Sequence, residues 1–97
     1  MLIIETAIAK LGKEHQMRQT QEELAELIVA INKYERSIGN PLWNNSARKN
    51  VIEEMADVLI MLDAVKKMLD IKDEDLKSVR EYKLNRLFNR LKEGRDS

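Results

Sequence analysis

The sequence predicts an all-α fold, and three observations carry that prediction. Apolar residues recur at steps of three and four along most of the chain, which is the spacing of one helix face. No stretch shows the strict apolar–polar alternation of a half-buried strand. Gly and Pro, the residues that interrupt regular structure, number only three and one in 97 residues. A chain of this length makes one domain, residues 1–97.

Residues 2–11 are mostly apolar and helix-compatible, and Gly12 is expected to break or bend the segment. From Lys13 to about Ser37 the pattern is strongly helical. Met17, Thr20, Leu24, Leu27, Ile31 and Tyr34 step by three and four and read as a core seam. A second line, Gln16, Gln19, Glu23, Glu26, Ala30 and Lys33, is polar over several turns. Residues 38–46 hold Gly39, Pro41, Asn40, Asn44 and Asn45, so they read as a loop. Ser46 is placed to cap the next helix, from about Ala47 to Asp70. Its expected seam is Val51, Met55, Val58, Leu62, Val65 and Leu69. Glu54 and Asp57 start a neighbouring line that continues with Met61, Ala64 and Met68. Ile71-Lys72-Asp73 is a short connection, with Asp73 as the expected cap and Glu74 and Asp75 in the first turn behind it. The last helix spans roughly Asp73 to Lys92. Leu76, Leu84, Leu87 and Leu91 give it an apolar face, and Lys83, Arg86 and Arg90 share another. Gly94 and the polar Arg95-Asp96-Ser97 end it.

Composition excludes several classes of function. The 17 basic and 17 acidic residues balance, which argues against nucleic acid as a partner. There is no cysteine, so disulfides and thiolate metal sites are ruled out and a reducing cytoplasm is compatible. The start, Met1-Leu2-Ile3-Ile4-Glu5, lacks the basic region and long apolar core of a signal peptide. No apolar run approaches the ~20 residues of a membrane span, so no membrane partner is expected. Aliphatic residues are plentiful in a short chain, which points to extra apolar surface covered by a second copy.

Chemistry concentrates in two acidic signatures, Glu22-Glu23-Leu24-Ala25-Glu26 and Glu53-Glu54-Met55-Ala56-Asp57. Residues three apart share a helix face, so Glu23 points with Glu26 and Glu54 with Asp57. If the two helices pack side by side, four carboxylates converge. At an effective dielectric near 20, two unit charges about 4 Å apart cost roughly 4 kcal/mol. A hard divalent cation removes that penalty, so the four carboxylates read as a Mg²⁺ site, with Mn²⁺ as a workable substitute. Carboxylates normally lie opposite an apolar stripe, whereas Glu54 and Asp57 flank one. Val29 and Ile60 stand where a di-iron bundle would need His. His15 is the only histidine, which leaves zinc without ligands.

Other candidates have two readings each. Gln16 and Gln19 share the acidic face and either contact a ribose or base or form plain helix surface. Lys83, Arg86 and Arg90 form either a wet face or a set of phosphate-neutralising cations. Trp43 reads as a packing or subunit anchor ahead of a base-stacking platform.

The motif Glu22-Glu23-x-x-Glu26 followed by Glu54-x-x-Asp57 resembles the paired signature of the MazG-like nucleotide pyrophosphohydrolases, in the all-alpha NTP pyrophosphatase group. Gly12 with Gln16 resembles the family's lead-in, and Lys83, Asn85 and Arg86 resemble the basic stretch that closes its domain. The resemblance implies a bundle of four or five helices with antiparallel central helices, completed by homo-oligomerisation as a homodimer or homotetramer. It implies cleavage of a nucleoside triphosphate substrate between the alpha and beta phosphates. Glu23, Glu26, Glu54 and Asp57 would bind Mg²⁺. Glu22, with Glu23, would serve catalysis by orienting water or substrate, and Lys83 and Arg86 would reach the phosphates. The competing readings are a non-catalytic helical oligomerisation or partner-binding module and a nucleotide sensor that binds without cleaving.

Overall fold

The computed structural model describes residues 2–94. It contains α1 (Leu2–Leu11), α2 (Lys13–Ser37), α3 (Pro41–Met68) and α4 (Asp73–Lys92), and no strand among the described residues. The expected ending Arg95-Asp96-Ser97 lies outside them.

Gly12 separates α1 from α2 with a φ of 92°, a conformation that costs a side-chain-bearing residue dearly. Its N–H donates to the Ile8 carbonyl at 2.9 Å and its own carbonyl accepts from Gln16 N at 3.1 Å, so one residue bends the chain with little loss of hydrogen bonding.

The connection after α2 is shorter than the sequence suggests. Only residues 38–40 lie outside helix, and Ser46 does not cap; it sits in the second turn of α3. Asn40 takes the capping role, its side chain accepting from Trp43 N at 3.2 Å, and Pro41 follows at the first helical position. Proline suits that place because its missing N–H would be unpaired there anyway. Asn-Pro therefore starts the helix where it reads as a turn.

α3 stops at Met68, two residues before the expected end. Asp70 adopts a φ of 52°, Ile71 N donates to Lys66 O at 2.9 Å, and Asp70 N donates to Lys67 O at 3.3 Å. These paired bonds are a Schellman stop, with Asp where Gly is usual. Asp73 is not the cap of α4 but its first residue; Lys72 precedes it without a side-chain cap. The Asp73 carboxylate instead pairs with the Lys66 ammonium, which holds the Asp73 carboxyl below its ordinary range.

α2 and α3 make the principal contact, and α1 lies against both. The inward line of α2 is Gln16, Thr20, Glu23, Leu27, Ala30, Tyr34 and Ser37. The inward line of α3 is Asn44, Ala47, Val51, Glu54, Val58, Met61, Val65 and Met68. Both step by four and three, as in a coiled-coil seam. The expected seams hold in part: Thr20, Leu27 and Tyr34, and Val51, Val58 and Val65, face inward. Leu24 and Ile31 of α2, Met55 and Leu62 of α3, and Leu69 just past its end, are exposed. Each helix is rotated by about half a residue, roughly 50°, from the most apolar line. Ala30, Ser37 and Ala47 are buried where the helices meet, and small side chains allow close approach of two axes. The larger aliphatics are left outside.

Ile4, Met61 and Ala64 form a buried cluster, with Ile8 and Met68 packed on it. α4 comes within packing distance of no other helix and buries no residue. The radius of gyration is 17.1 Å, against about 12–13 Å for a compact chain of this length.

Candidate metal centre

Glu23 and Glu54 occupy the α2–α3 seam half-buried, at positions that would normally be apolar. Glu23, Glu54 and Asp57 each offer one carboxylate oxygen, and the three oxygens lie within 4.8 Å of one another. Opposite ligands of a cation bound at about 2.1 Å are roughly 4.2 Å apart, so three oxygens this close could share one hard cation, with water or substrate in its remaining positions.

Two atoms need explanation. Glu23 Oε2 and Glu54 Oε2 are buried and have no hydrogen-bond partner among the described residues. Buried polar atoms are nearly always partnered. Two ionised carboxylates cannot partner each other, because both only accept; the pair interacts favourably only when Glu54 keeps a proton to donate to Glu23 or when a cation lies between them.

The surroundings penalise negative charge. Burial pushes the Glu23 carboxyl above its ordinary range, with repulsion from Glu26 and Asp57 adding to the shift and a hydrogen bond from Gln19 opposing it. Burial also raises Glu54, followed by repulsion from Glu26, Glu23 and Asp57. Gln19 Nε2 donates to Glu23 Oε1 at 3.0 Å, which fixes one oxygen and leaves the other free to face the cluster. All the converging donors are carboxylate oxygens, a set that fits a hard divalent cation and not a soft or imidazole-preferring metal.

The remaining sequence candidates fall in different places. Glu26 is exposed and is not among the three converging residues, yet it exerts the strongest charge repulsion on Glu54. Glu22 is exposed one turn before Glu26 on the same flank. Gln16 is buried two turns from Glu23, where it lines an apolar cavity of about 270 Å³ with Ile4, Met61 and Ala64. Its amide lies 3.5 Å from His15 Nδ1. Lys83 and Arg86 are exposed on α4, which beyond its first residue, Asp73, packs against neither α2 nor α3, so one chain does not bring them to the carboxylates.

The sequence reading passed over a set of cations nearer the cluster. Lys33, Lys49, Asn50 and Trp43 line a depression of about 420 Å³ with Glu53 on its rim. Glu53 adjoins Glu54, and Lys33 ends the polar line that begins at Gln16, which was the available signal. A larger cavity of about 520 Å³ lies at the α3–α4 junction, where Lys66 is paired with Asp73 and Lys67 with Glu5 at 3.1 Å.

Neither a family model, a curated protein nor a solved structure matches this chain. Among the described residues no helix is long and apolar enough to cross a membrane.

Proposed function

We propose that the protein is a Mg²⁺-dependent nucleoside triphosphate pyrophosphohydrolase, converting an NTP or dNTP and water to the monophosphate and pyrophosphate. The observation that carries this reading is the pair of buried, partnerless oxygens, Glu23 Oε2 and Glu54 Oε2, beside Asp57. Such a group is costly unless a cation joins it. Glu23, Glu54 and Asp57 would hold the ion, and Glu26 would join them from the exposed flank. When bound, Mg²⁺ offsets phosphate charge and polarises a phosphoryl oxygen.

The chain's own groups do the rest. Gln19 holds Glu23 in the orientation that binding needs. Glu22 orients the attacking water and accepts its proton. The water oxygen bonds to the alpha phosphorus, and the bond to the bridging oxygen breaks as pyrophosphate leaves. Lys33 and Lys49 lie on the neighbouring depression, where cationic groups stabilise charge on the leaving group. Lys83 and Arg86 join them from another copy. The choice of the alpha–beta bond rests on the resemblance to the MazG-like enzymes, since geometry alone favours only a hard cation and a polyanion. In this reading α2 and α3 run antiparallel, the assembly is a homodimer or homotetramer, and the protein works in the cytoplasm.

The test is a panel of NTPs and dNTPs with Mg²⁺, with the products separated. Monophosphate and pyrophosphate are expected. Orthophosphate release overturns the alpha–beta assignment, and absence of turnover on every nucleotide overturns the enzyme. The second reading is a non-catalytic helical module, favoured by the exposed aliphatic residues Met55, Leu59 and Leu62. It expects Glu23→Ala and Asp57→Ala to leave cation affinity and every activity unchanged.

A further inference from the structure

Along α3, Asn50, Glu53, Asp57, Ile60 and Ala64 step by three and four and so share one line of the helix. Three unlike surroundings open along that line. At its middle is the carboxylate cluster, through Asp57. At one end is the depression that Asn50 and Glu53 share with Lys33 and Lys49. At the other is the cavity of about 270 Å³ that Ile60 and Ala64 share with Ile4 of α1 and Gln16 of α2. Asn50 and Ala64 each lie seven residues from Asp57, which is two turns or roughly 10.5 Å. The spacing on α2 agrees, since Gln16 lies seven residues before Glu23. The cavity walls are aliphatic, yet the buried Gln16 sets an amide into them. Among the described residues that amide makes one side-chain hydrogen bond, a long one of 3.5 Å between Nε2 and His15 Nδ1. Asp63 also lines the cavity and is exposed. It has no ion-pair partner among the described residues; Lys66 and Lys67, one turn on, pair with Asp73 and Glu5.

We propose that this cavity holds the base of the nucleotide whose phosphates meet the carboxylate cluster, and that it selects a base with an amino group beside a ring-nitrogen acceptor, a 6-aminopurine or a 4-aminopyrimidine. The proposal rests on the nucleotide reading above and adds the substrate's orientation and base class to it. Polarity sets the orientation. An aliphatic cavity with a carboxylate on its lining excludes phosphate. The polyphosphate therefore runs toward Lys33 and Lys49, and the base goes the other way. Two helical turns from cavity to cluster match the reach of a ribose and its 5′-phosphate to a bound cation. Size agrees. An apolar cavity of about 150 Å³ holds benzene, so one of about 270 Å³ has room for a heterocycle of one or two rings. Hydrogen bonding sets the class. The Gln16 amide offers an acceptor oxygen and N–H donors, whereas the Asp63 carboxylate only accepts. Adenine and cytosine present N–H₂ beside a ring nitrogen, so the amide pairs with both and the second amino hydrogen is left for Asp63. Uracil, thymine, guanine and hypoxanthine put a carbonyl oxygen there, and it meets the carboxylate acceptor to acceptor.

The test is nuclear magnetic resonance of the full chain in chelator, titrated into the millimolar range with adenosine, cytidine, uridine and inosine. These nucleosides carry no phosphate, so neither the acidic cluster nor turnover enters the reading. Adenosine or cytidine is expected to shift the amide signals of Ala7, Gln16 and Ala64, with uridine and inosine binding at least about 10-fold more weakly. The stronger of the first two tells purine from pyrimidine. Asp63 is exposed, so Asp63→Asn spares the fold. Its new amide can donate to a carbonyl, and uridine and inosine should come within about 3-fold of the amino nucleosides. Gln16→Leu should weaken adenosine and cytidine at least about 10-fold. Helical circular dichroism checks that this variant folds, and Asp63→Asn decides the matter if it does not. Shifts confined to Trp43, Lys49 and Asn50 overturn the proposal and put the base in the other depression. No shift with any nucleoside, equal affinity for all four, or an Asp63→Asn protein as selective as the wild type also overturns it. An inactive protein that binds adenosine or cytidine here sinks only the enzyme, and an active one whose nucleosides bind elsewhere sinks only this base site.

Discussion

Ser37 is fully buried between α2 and α3, yet its hydroxyl donates to the Tyr34 carbonyl at 2.6 Å and accepts from Asn44 Nδ2 at 3.1 Å. About four turns away along α2 and three along α3, Glu23 and Glu54 bury one oxygen each with no hydrogen-bond partner among the described residues. Ala30 and Ala47 show that small apolar residues also fit this contact. The chain can thus fill the seam with apolar groups or satisfy a polar one. An arrangement that does neither, and adds charge repulsion, asks for a ligand outside the chain. Hydrogen bonding within the chain accounts for Ser37, and the proposed cation would account for the glutamates.

Four measurements break or sharpen that contrast. The largest effect is expected on turnover. Glu54→Gln or Asp57→Asn removes a charged ligand, and pyrophosphate release should fall at least about 100-fold, equivalent to roughly 2.7 kcal/mol. Next is cation binding without nucleotide. At about 100 times Kd, Mg²⁺ adds roughly 2.7 kcal/mol to folding stability, which lifts the melting temperature of a domain this size by about 10–20 °C. Calorimetry should show that rise in the wild type and none in Glu54→Gln. The third is Ser37→Ala, which strands the Asn44 amide and should cost about 1 kcal/mol in urea unfolding with the Mg²⁺ effect intact.

The smallest effect concerns pH. Burial raises the Glu23 and Glu54 carboxyls, so the folded chain binds these protons more tightly than the unfolded chain. Their contribution to stability is therefore full below the ordinary value of 4.5 and lost as pH rises through the raised values. Glu5 and Asp73 have lowered values, so their opposite contribution is lost only on further acidification. In chelator, the melting temperature should fall as pH rises from the ordinary carboxylate value towards neutral. Glu54→Gln should flatten that slope and melt higher than the metal-free wild type at neutral pH. A wild type whose melting temperature rises over that interval would show the two carboxylates to be at ease.

The helices were largely legible because their periodicity is long and Gly12 and Gly39 punctuate it. The start of α3 was not, because Asn40-Pro41 is equally good chemistry for a turn and for a helix entry. The inward faces lie about half a residue, roughly 50°, round each helix from the expected ones. Apolar content pointed to Leu24, Met55 and Leu62, while backbone approach selected the line with Ala30, Ser37 and Ala47. That rotation moves Glu23 and Glu54 from beside the seam into it, which sequence periodicity alone could not show. Lys83 and Arg86 were chosen for charge, yet nothing in their spacing reveals that α4 leaves the other helices.

Glu23 and Glu54 meet near the middle of the two longest helices, not at their ends. A bridge there acts as a rivet. Sliding one helix past the other by a single turn displaces the oxygens by about 5.4 Å and tears any shared coordination apart. An ion held there, as proposed, would lock the register of α2 against α3, and its release would free the two helices to shear.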